Sequence, residues 1–456
     1  MGICNSRNDE IFTGRKPIPI KMANKVLESI CEITAKHNQS TTYGTGFFMN
    51  LNSKIYLITN HHVISKDIIY DDIKIKIDKN KSMIFKLENR EIKYYPEPKD
   101  ITIVEIKKND EIYKYIKCLD YDNNYVKNGY LIYKNADVFS VMHPFNKDPE
   151  CSSGKITNID NFEFSYDIST DSGSSGSPII LLNNNQNIIQ VIGIHKLGDY
   201  EEKLNFGTFI GEIINNNFAN TNNELKENLS SNIKINETEQ FPDLNIGVNT
   251  MIPLEIVVKA MKSICKVTKL SNDSPIGISY VETGFFMNIN SLKYLISNSN
   301  LLSQKFEKGI IKIEIHNHKT MILNLENRHI NICPKHENIA IIEIKNDDII
   351  YKDIEFLDYD NKYIDKGYYI YKDAEVFSIQ HPMGKNASFA NGKIIDIIND
   401  FEFYHSIETG QGSGGSPIIL IDHINIHKIK VIGIHYGRDK ENGYGYGTFI
   451  GEIFKK

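Results

Sequence analysis

The amino-acid sequence predicts an all-β chain made of two tandem domains. Three observations carry that expectation. Long stretches of the first half recur in the second half at a nearly fixed offset. Within each half, short runs of isoleucine, valine, tyrosine and phenylalanine alternate with polar residues and are separated by turns. The length, 456 residues, suits two barrel domains of about 200 to 250 residues each. Hydrophobic residues make up 41% and charged residues 24%, a globular composition with enough apolar surface for more than one core.

The repeat is long in period. Residues 130–144 read YLIYKNADVFSVMHP and residues 368–382 read YYIYKDAEVFSIQHP, with ten of fifteen positions identical at an offset of 238. The same offset pairs LENR at 87–90 with 325–328, and GFFMN at 46–50 with 284–288. VIGIH at 191–195 recurs at 431–435, and GTFIGEI at 207–213 recurs at 447–453. Units of this size are whole domains rather than the stacked repeats of a solenoid.

In chain order, residues 1–17 form a leading segment and residues 18–214 a first domain. A helix is expected over 21–29, KMANKVLES. Strands are expected at 73–77, 100–106, 137–142, 162–168, 177–182 and 188–194, where apolar and polar residues alternate as on half-buried strands. Regular spacing of such strands marks a barrel or sandwich. Residues 215–248 are polar and rich in asparagine, and read as a linker. A flexible linker of that length spans about 30 Å root-mean-square, leaving the domains free to touch or work apart. Residues 249–456 form a second domain, opening with a helix at 255–263.

Charge and cysteines bound the function. Lysine and arginine number 52 against 58 acidic residues, giving a net charge of −6. A chain without basic excess lacks the electrostatic footprint for nucleic acid. No apolar run is long enough for a membrane-spanning helix. Cysteines at 4, 31, 118, 151, 265 and 333 fit neither a disulfide framework nor a zinc site. The opening Met1-Gly2-Ile3-Cys4-Asn5-Ser6 fits the myristoylation pattern at Gly2, and Cys4 is placed for a palmitoyl group. One myristoyl chain binds a bilayer only marginally, so the second acyl group matters. The expectation is a cytoplasmic protein held peripherally at a membrane surface through its lipid anchor, with reduced thiols. No metal, nucleotide or flavin motif appears, so no cofactor is expected.

Three segments of the first half carry chemistry. Gly173-Ser174-Ser175-Gly176-Ser177-Pro178 opens a strand and exposes a serine hydroxyl on a glycine-flanked turn. The backbone N–H groups of Gly173 and Ser175 can converge there as an oxyanion hole. Thr59-Asn60-His61-His62 follows the strand YLI, and Asp100 heads the strand Ile101-Thr102-Ile103-Val104. A serine nucleophile needs a base to take its proton, and the base needs a carboxylate to fix its tautomer. His62, Asp100 and Ser175 supply that set. Asp120 and Asp122 compete for the acid role, but the same LDYDN motif stands at 357–361 in a half that has lost the chemistry, as described below.

The order His62, Asp100, Ser175 resembles that of the trypsin, or chymotrypsin-like, serine protease superfamily. The resemblance runs from Gly44-Thr45-Gly46-Phe47-Phe48 through Thr59-Asn60-His61-His62, the strand after Asp100, the His143-Pro144 turn and Gly154-Lys155-Ile156. It continues through Tyr166-Asp167-Ile168-Ser169-Thr170, the Ser175 turn and Val191-Ile192-Gly193-Ile194-His195. The chain looks most like the bacterial glutamyl endopeptidase branch. The resemblance implies a pair of six-stranded antiparallel β-barrels in each domain, with the triad between them, and a peptide or protein substrate. It also implies that Thr170 and His195 line a pocket for an acidic substrate side chain. Ser174 stands where secreted members carry an aspartate that pairs with a cleaved N-terminus, so activation of that kind is not expected.

In the second half the matched positions are Asn300, Asn338 and Gly414. Base, acid and nucleophile are all replaced while the surrounding motifs persist, as does a pocket pair, Thr409 and His435. The second domain is therefore expected to be a pseudoprotease with a regulatory or substrate-binding role. The competing expectation is a catalytically silent tandem scaffold that binds peptides at the membrane surface.

Overall fold

The computed structural model describes residues 16–37, 40–78, 81–145, 147–182, 188–199, 204–217, 251–269, 281–299, 309–316, 318–332, 339–399, 401–422, 428–439 and 442–453. The fold is mostly β and chymotrypsin-like, in two compact units. One unit comprises Asn24–Met251, and the other joins residues up to Ala23 with Ile252–Lys456.

In the unit of residues 24–251, the N-terminal sheet has seven strands. Their order is Lys81–Lys86, Asp72–Asp78, Ile30–His37, Ser40–Leu51, Lys54–Thr59, Ile101–Ile106 and Ile92–Tyr95. All pairings along it are antiparallel. Alternation along these strands turns Ile33, Phe48, Leu57, Ile75 and Val104 into one buried cluster. The C-terminal half closes fully into a six-stranded barrel. Its ring runs Asp137–Met142, Pro178–Leu181, Gln190–Asp199, Leu204–Phe209, Glu163–Tyr166 and Glu150–Asp160, which pairs back onto Asp137–Met142. Phe164, Tyr166, Ile179 and Phe209 fill it. Glu150–Asp160 joins Asp137–Met142 through its first half and Glu163–Tyr166 through its second, so the ring closes through this one strand.

The other unit repeats both strand orders, from Ile264–Lys269 to Gly445–Phe449, and again closes a six-stranded ring in its C-terminal half. The two expected helices are present as Ile20–Leu27 and Leu254–Met261. A further helix, Gly211–Asn217, runs three residues into the segment read as linker. The rest of that segment, and Gly2 and Cys4, lie outside the described residues. Among the described residues, no helix is long and apolar enough to cross a membrane.

One boundary differs from the expected start of the first domain at residue 18. Ile18 pairs with Phe389 and Pro19 with Ser388, and the Ile20 N–H donates to the Ala387 carbonyl at 3.1 Å. Ile18, Ile20, Met22 and Ala23 are all buried. The physical reason is edge completion. The Ser388–Ile397 strand gains a short partner, and a proline is tolerated in such an edge strand.

Candidate active site

The two halves of the unit 24–251 bring three sequence-distant segments together. The strand Lys54–Thr59 delivers Asn60 and His62 at its end, and the adjacent strand Ile101–Ile106 begins just after Asp100. Asp100 is only 1% exposed. Its Oδ2 lies 2.7 Å from His62 Nδ1, and its Oδ1 accepts the His62 backbone N–H at 2.9 Å. The Asn60 amide donates to the Asp100 carbonyl at 2.8 Å. Asp100 adopts φ +51°, a left-handed conformation that non-glycine residues rarely take without compensation. The paired bonds to His62 and Asn60 supply that compensation. The carboxylate fixes the imidazole with Nδ1 inward, leaving Nε2 for the cleft.

Ser175 is half-buried on its turn. Its carbonyl accepts the Thr45 N–H at 2.8 Å. Gly44 lies at the crossing point. A Cβ there would stand 2.6 Å from Val63 and 3.1 Å from the Ser175 carbonyl. Glycine at 44 thus lets the chain beside His62 and the serine turn approach one another. Among the described residues, no hydrogen bond joins the Ser175 hydroxyl to the His62 ring. Such bonds often tighten only when substrate is bound. His61, next in sequence to His62, packs edge-on against Tyr94 with ring centroids 6.0 Å apart.

The two N–H groups expected to serve as oxyanion donors are set by their own peptide planes. Phe145 N–H donates to the Ser172 carbonyl at 2.7 Å, and Ser177 N–H donates to the Ser174 carbonyl at 3.0 Å. A trans peptide points its N–H opposite its carbonyl. The Gly173 and Ser175 N–H groups are therefore turned to the other side, and neither has an acceptor among the described residues. Gly173 has φ +89°, and a Cβ there would meet Phe145 N at 2.7 Å and His143 O at 2.8 Å, so only glycine fits.

Thr45 is the residue that sequence reasoning missed. Fully buried, it donates its hydroxyl to the Gly173 carbonyl at 2.9 Å and accepts the His143 N–H at 3.0 Å. It thereby ties the oxyanion turn to the 143–145 turn whose Phe145 N–H holds the Ser172 carbonyl. The signal was present in the repeat, because Thr283 keeps the same bonds to Gly412 and His381.

The two residues expected to line a pocket, His195 and Thr170, each have a further polar partner. His195 is buried, and burial, reinforced by His62 and opposed by Asp100, pushes its pKa down to about 3. Its ring is neutral at physiological pH. Tyr166 Oη lies 2.5 Å from its Nδ1. With that hydroxyl donating, the ring carries its proton on Nε2. The Thr170 hydroxyl is already engaged within the protein. It donates to Asn205 Oδ1 at 2.6 Å, and the Asn205 amide reaches the Ile168 carbonyl at 2.5 Å. Thr170 is left as an acceptor. The rival acid Asp122 is buried and accepts the Tyr133 hydroxyl at 2.8 Å, a structural role.

In the other unit Asn300 and Asn338 lie outside the described residues. Gly414 sits on the turn matching Ser175. The peptide framework is kept: Gly412 has φ +86°, and the Gln411 and Ser413 carbonyls accept the Met383 and Ser416 N–H groups. The surroundings of Thr409 and His435 differ from those of Thr170 and His195. His435 Nδ1 lies 3.0 Å from His405 Nε2, where the first unit has Tyr166. Arg438 grips Glu408 through two contacts of 2.6 and 3.1 Å beside the buried Thr409. Among the described residues no group of side chains could hold a metal ion.

In this chymotrypsin-like fold an exposed histidine is held by a buried aspartate beside a glycine-bracketed serine. Residues 44–194 match the family model of the trypsin-like peptidase domain. No curated protein sequence matches the chain. Similar solved structures include a serine endoprotease from Yersinia pestis, at 12% identity over 43% of this chain and 62% of that one, TM-score 0.33. The chain thus spans under two thirds of the Yersinia enzyme. Another is the active form of a protease from M. tuberculosis, at 14% identity over 49% and 96% of the two chains, TM-score 0.33. The catalytically active tobacco etch virus protease is similar at 16% identity over 46% and 82%, TM-score 0.33.

Proposed function

We propose that the first unit is a serine endopeptidase. The observation that carries this reading is the buried Asp100 bound twice by His62, beside the two acceptor-free N–H groups on the Ser175 turn. Ser175 Oγ attacks the scissile carbonyl carbon while His62 Nε2 takes its proton. The carbonyl oxygen, now negative, rests on the N–H groups of Gly173 and Ser175. The imidazolium, stabilised by Asp100, returns the proton to the leaving amine. A water then enters, loses its proton to His62 and releases the acyl group from Ser175.

Specificity is proposed to lie with the His195 donor, while the Thr170 hydroxyl, engaged with Asn205, offers substrate only an acceptor. A neutral His195 offers one N–H and no positive charge. That donor suits the oxygen of a carboxylate or a side-chain amide, and glutamate or aspartate before the cut remains the first expectation. The second unit, without a hydroxyl at Gly414, is proposed to be catalytically silent and to modulate the first or hold its substrate. The Gly2 and Cys4 acyl groups are proposed to bring the chain to a membrane surface.

The deciding experiment is reaction of the full chain with a fluorophosphonate, which needs an activated serine. Labelling at Ser175 that Ser175→Ala and His62→Ala both abolish supports the reading. Absence of labelling in folded protein refutes it in favour of the silent scaffold.

A further inference from the structure

The second unit has changed in two places that face each other. Gly44-Thr45-Gly46-Phe47-Phe48 of the first half reads Glu282-Thr283-Gly284-Phe285-Phe286 in the second, while Ser175 is replaced by Gly414. Glycine became glutamate on one side of the cleft, and serine became glycine on the other.

These two changes meet in space. A Cβ built on Gly414 would lie 2.7 Å from Glu282 Oε2 and 2.8 Å from Asn298 Nδ2. Real Cβ atoms do not approach a neighbour that closely, so a side chain at 414 requires the ends of Glu282 and Asn298 to move aside. The Thr283 N–H still donates to the Gly414 carbonyl at 3.1 Å, as Thr45 does to Ser175, so the two backbones have not drawn apart. The glutamate fills space that the glycine exchange left between them.

We propose that the Glu282 side chain occupies the place of the missing nucleophile and closes the second unit's cleft to a peptide at that point. Oε2 is buried and has no hydrogen-bond partner among the described residues. Burial alone raises this carboxyl to about 7, so it is largely protonated just below neutrality and can lie in the cleft without a counter-charge. The Gly412 and Gly414 N–H groups, held as their counterparts are in the first unit, face a cleft already occupied at its centre. This narrows the role of the second unit to contacts outside its cleft, and it holds whether or not the first unit cuts peptides.

The test is a pair of substitutions in the full chain. Glycine is the first unit's own residue at the position of Glu282, so Glu282→Gly follows an existing solution. A thiol introduced by Gly414→Cys is timed in its reaction with iodoacetamide, located by mass spectrometry, with Glu282 present and with Glu282→Gly. At least a tenfold faster reaction is expected once Glu282 is removed. In parallel, Gly414→Ala should lower the melting temperature of the second unit with Glu282 present, and by less than half as much in the Glu282→Gly background. Folding of Gly414→Cys only in the Glu282→Gly background would also support the proposal. Equal alkylation rates, equal melting shifts, or misfolding of Gly414→Cys in both backgrounds would overturn it.

Discussion

Replacing Thr45 by valine keeps the shape of the side chain and deletes its hydroxyl. A part-buried and a buried group then lose their partner: the Gly173 carbonyl, bonded at 2.9 Å, and the His143 N–H, bonded at 3.0 Å. A buried polar group left unsatisfied costs about 1–3 kcal/mol, and the part-buried carbonyl adds less, so the first unit should lose about 1–4 kcal/mol of stability. The functional loss follows a separate route. Without Thr45 the 143–145 turn is released, and with it the Phe145 N–H that holds the Ser172 carbonyl and so aims the Gly173 N–H. Loss of one oxyanion donor costs about 10²–10³ in kcat. The assay is steady-state hydrolysis of a peptide ester at a temperature where the variant is fully folded, with kcat and KM separated and stability followed by denaturant titration. Thr45→Ser keeps both hydrogen bonds and should restore kcat. A Thr45→Val variant with reduced stability and unchanged kcat would refute the positioning argument, because it would show the donor to be aimed without the threonine.

Further outcomes follow from the same geometry. Asp100→Asn should leave the unit folded and lower turnover by about 10⁴, read by fluorophosphonate labelling rate, because the amide no longer selects the needed imidazole tautomer. His143 and His195 are both held near 3 by burial, against an unfolded value of 6.5. The unfolded chain binds their protons first, so stability should fall as pH drops from about 6.5 towards 3, and His143→Gln should flatten that slope in pH-dependent unfolding. Glu282 has the opposite sign. Its carboxyl ionises near 4.5 unfolded and at about 7 folded, so it costs stability as pH rises between those values, and Glu282→Gln should remove that loss. Ile20→Asp should destabilise the second unit by about 3–5 kcal/mol, read by hydrogen exchange in strand Ser388–Ile397, while Asp137–Met142 stays protected. Gly2→Ala should move the protein from membrane to soluble fractions, and an unmodified N-terminus by mass spectrometry would end the acylation proposal.

What the sequence revealed, and what it hid, has a physical pattern. Strands such as Asp137–Met142 were legible because alternation of side chains is written locally. Asp100 beside His62 was legible because that chemistry requires a limited set of residue types in a known order. The bond from Thr170 to Asn205 was not legible, because Asn205 is 35 residues away and has no motif of its own. The docking of Ile18–Pro19 on Phe389 and Ser388 was hidden for a similar reason. A two-residue edge strand carries no periodicity, and its adjacent sequence suggests a nearer partner. The meeting of Glu282 with Gly414 becomes visible only when both sides of a folded cleft are present together.

The pairing of Ile18 with Phe389 also sets a clock on biosynthesis. Residue 18 leaves the ribosome long before its strand partner is made, and at about 5–20 residues per second the wait is roughly 20–75 seconds. The first unit has time to fold in that interval, as its last strand ends at Phe209. The apolar stretch Ile18-Pro19-Ile20 lacks its final partner while some 370 further residues are added. A nascent chain stalled before residue 388 should therefore show a folded first unit and an N-terminal stretch still open to proteases and chaperones, which closes only when synthesis resumes.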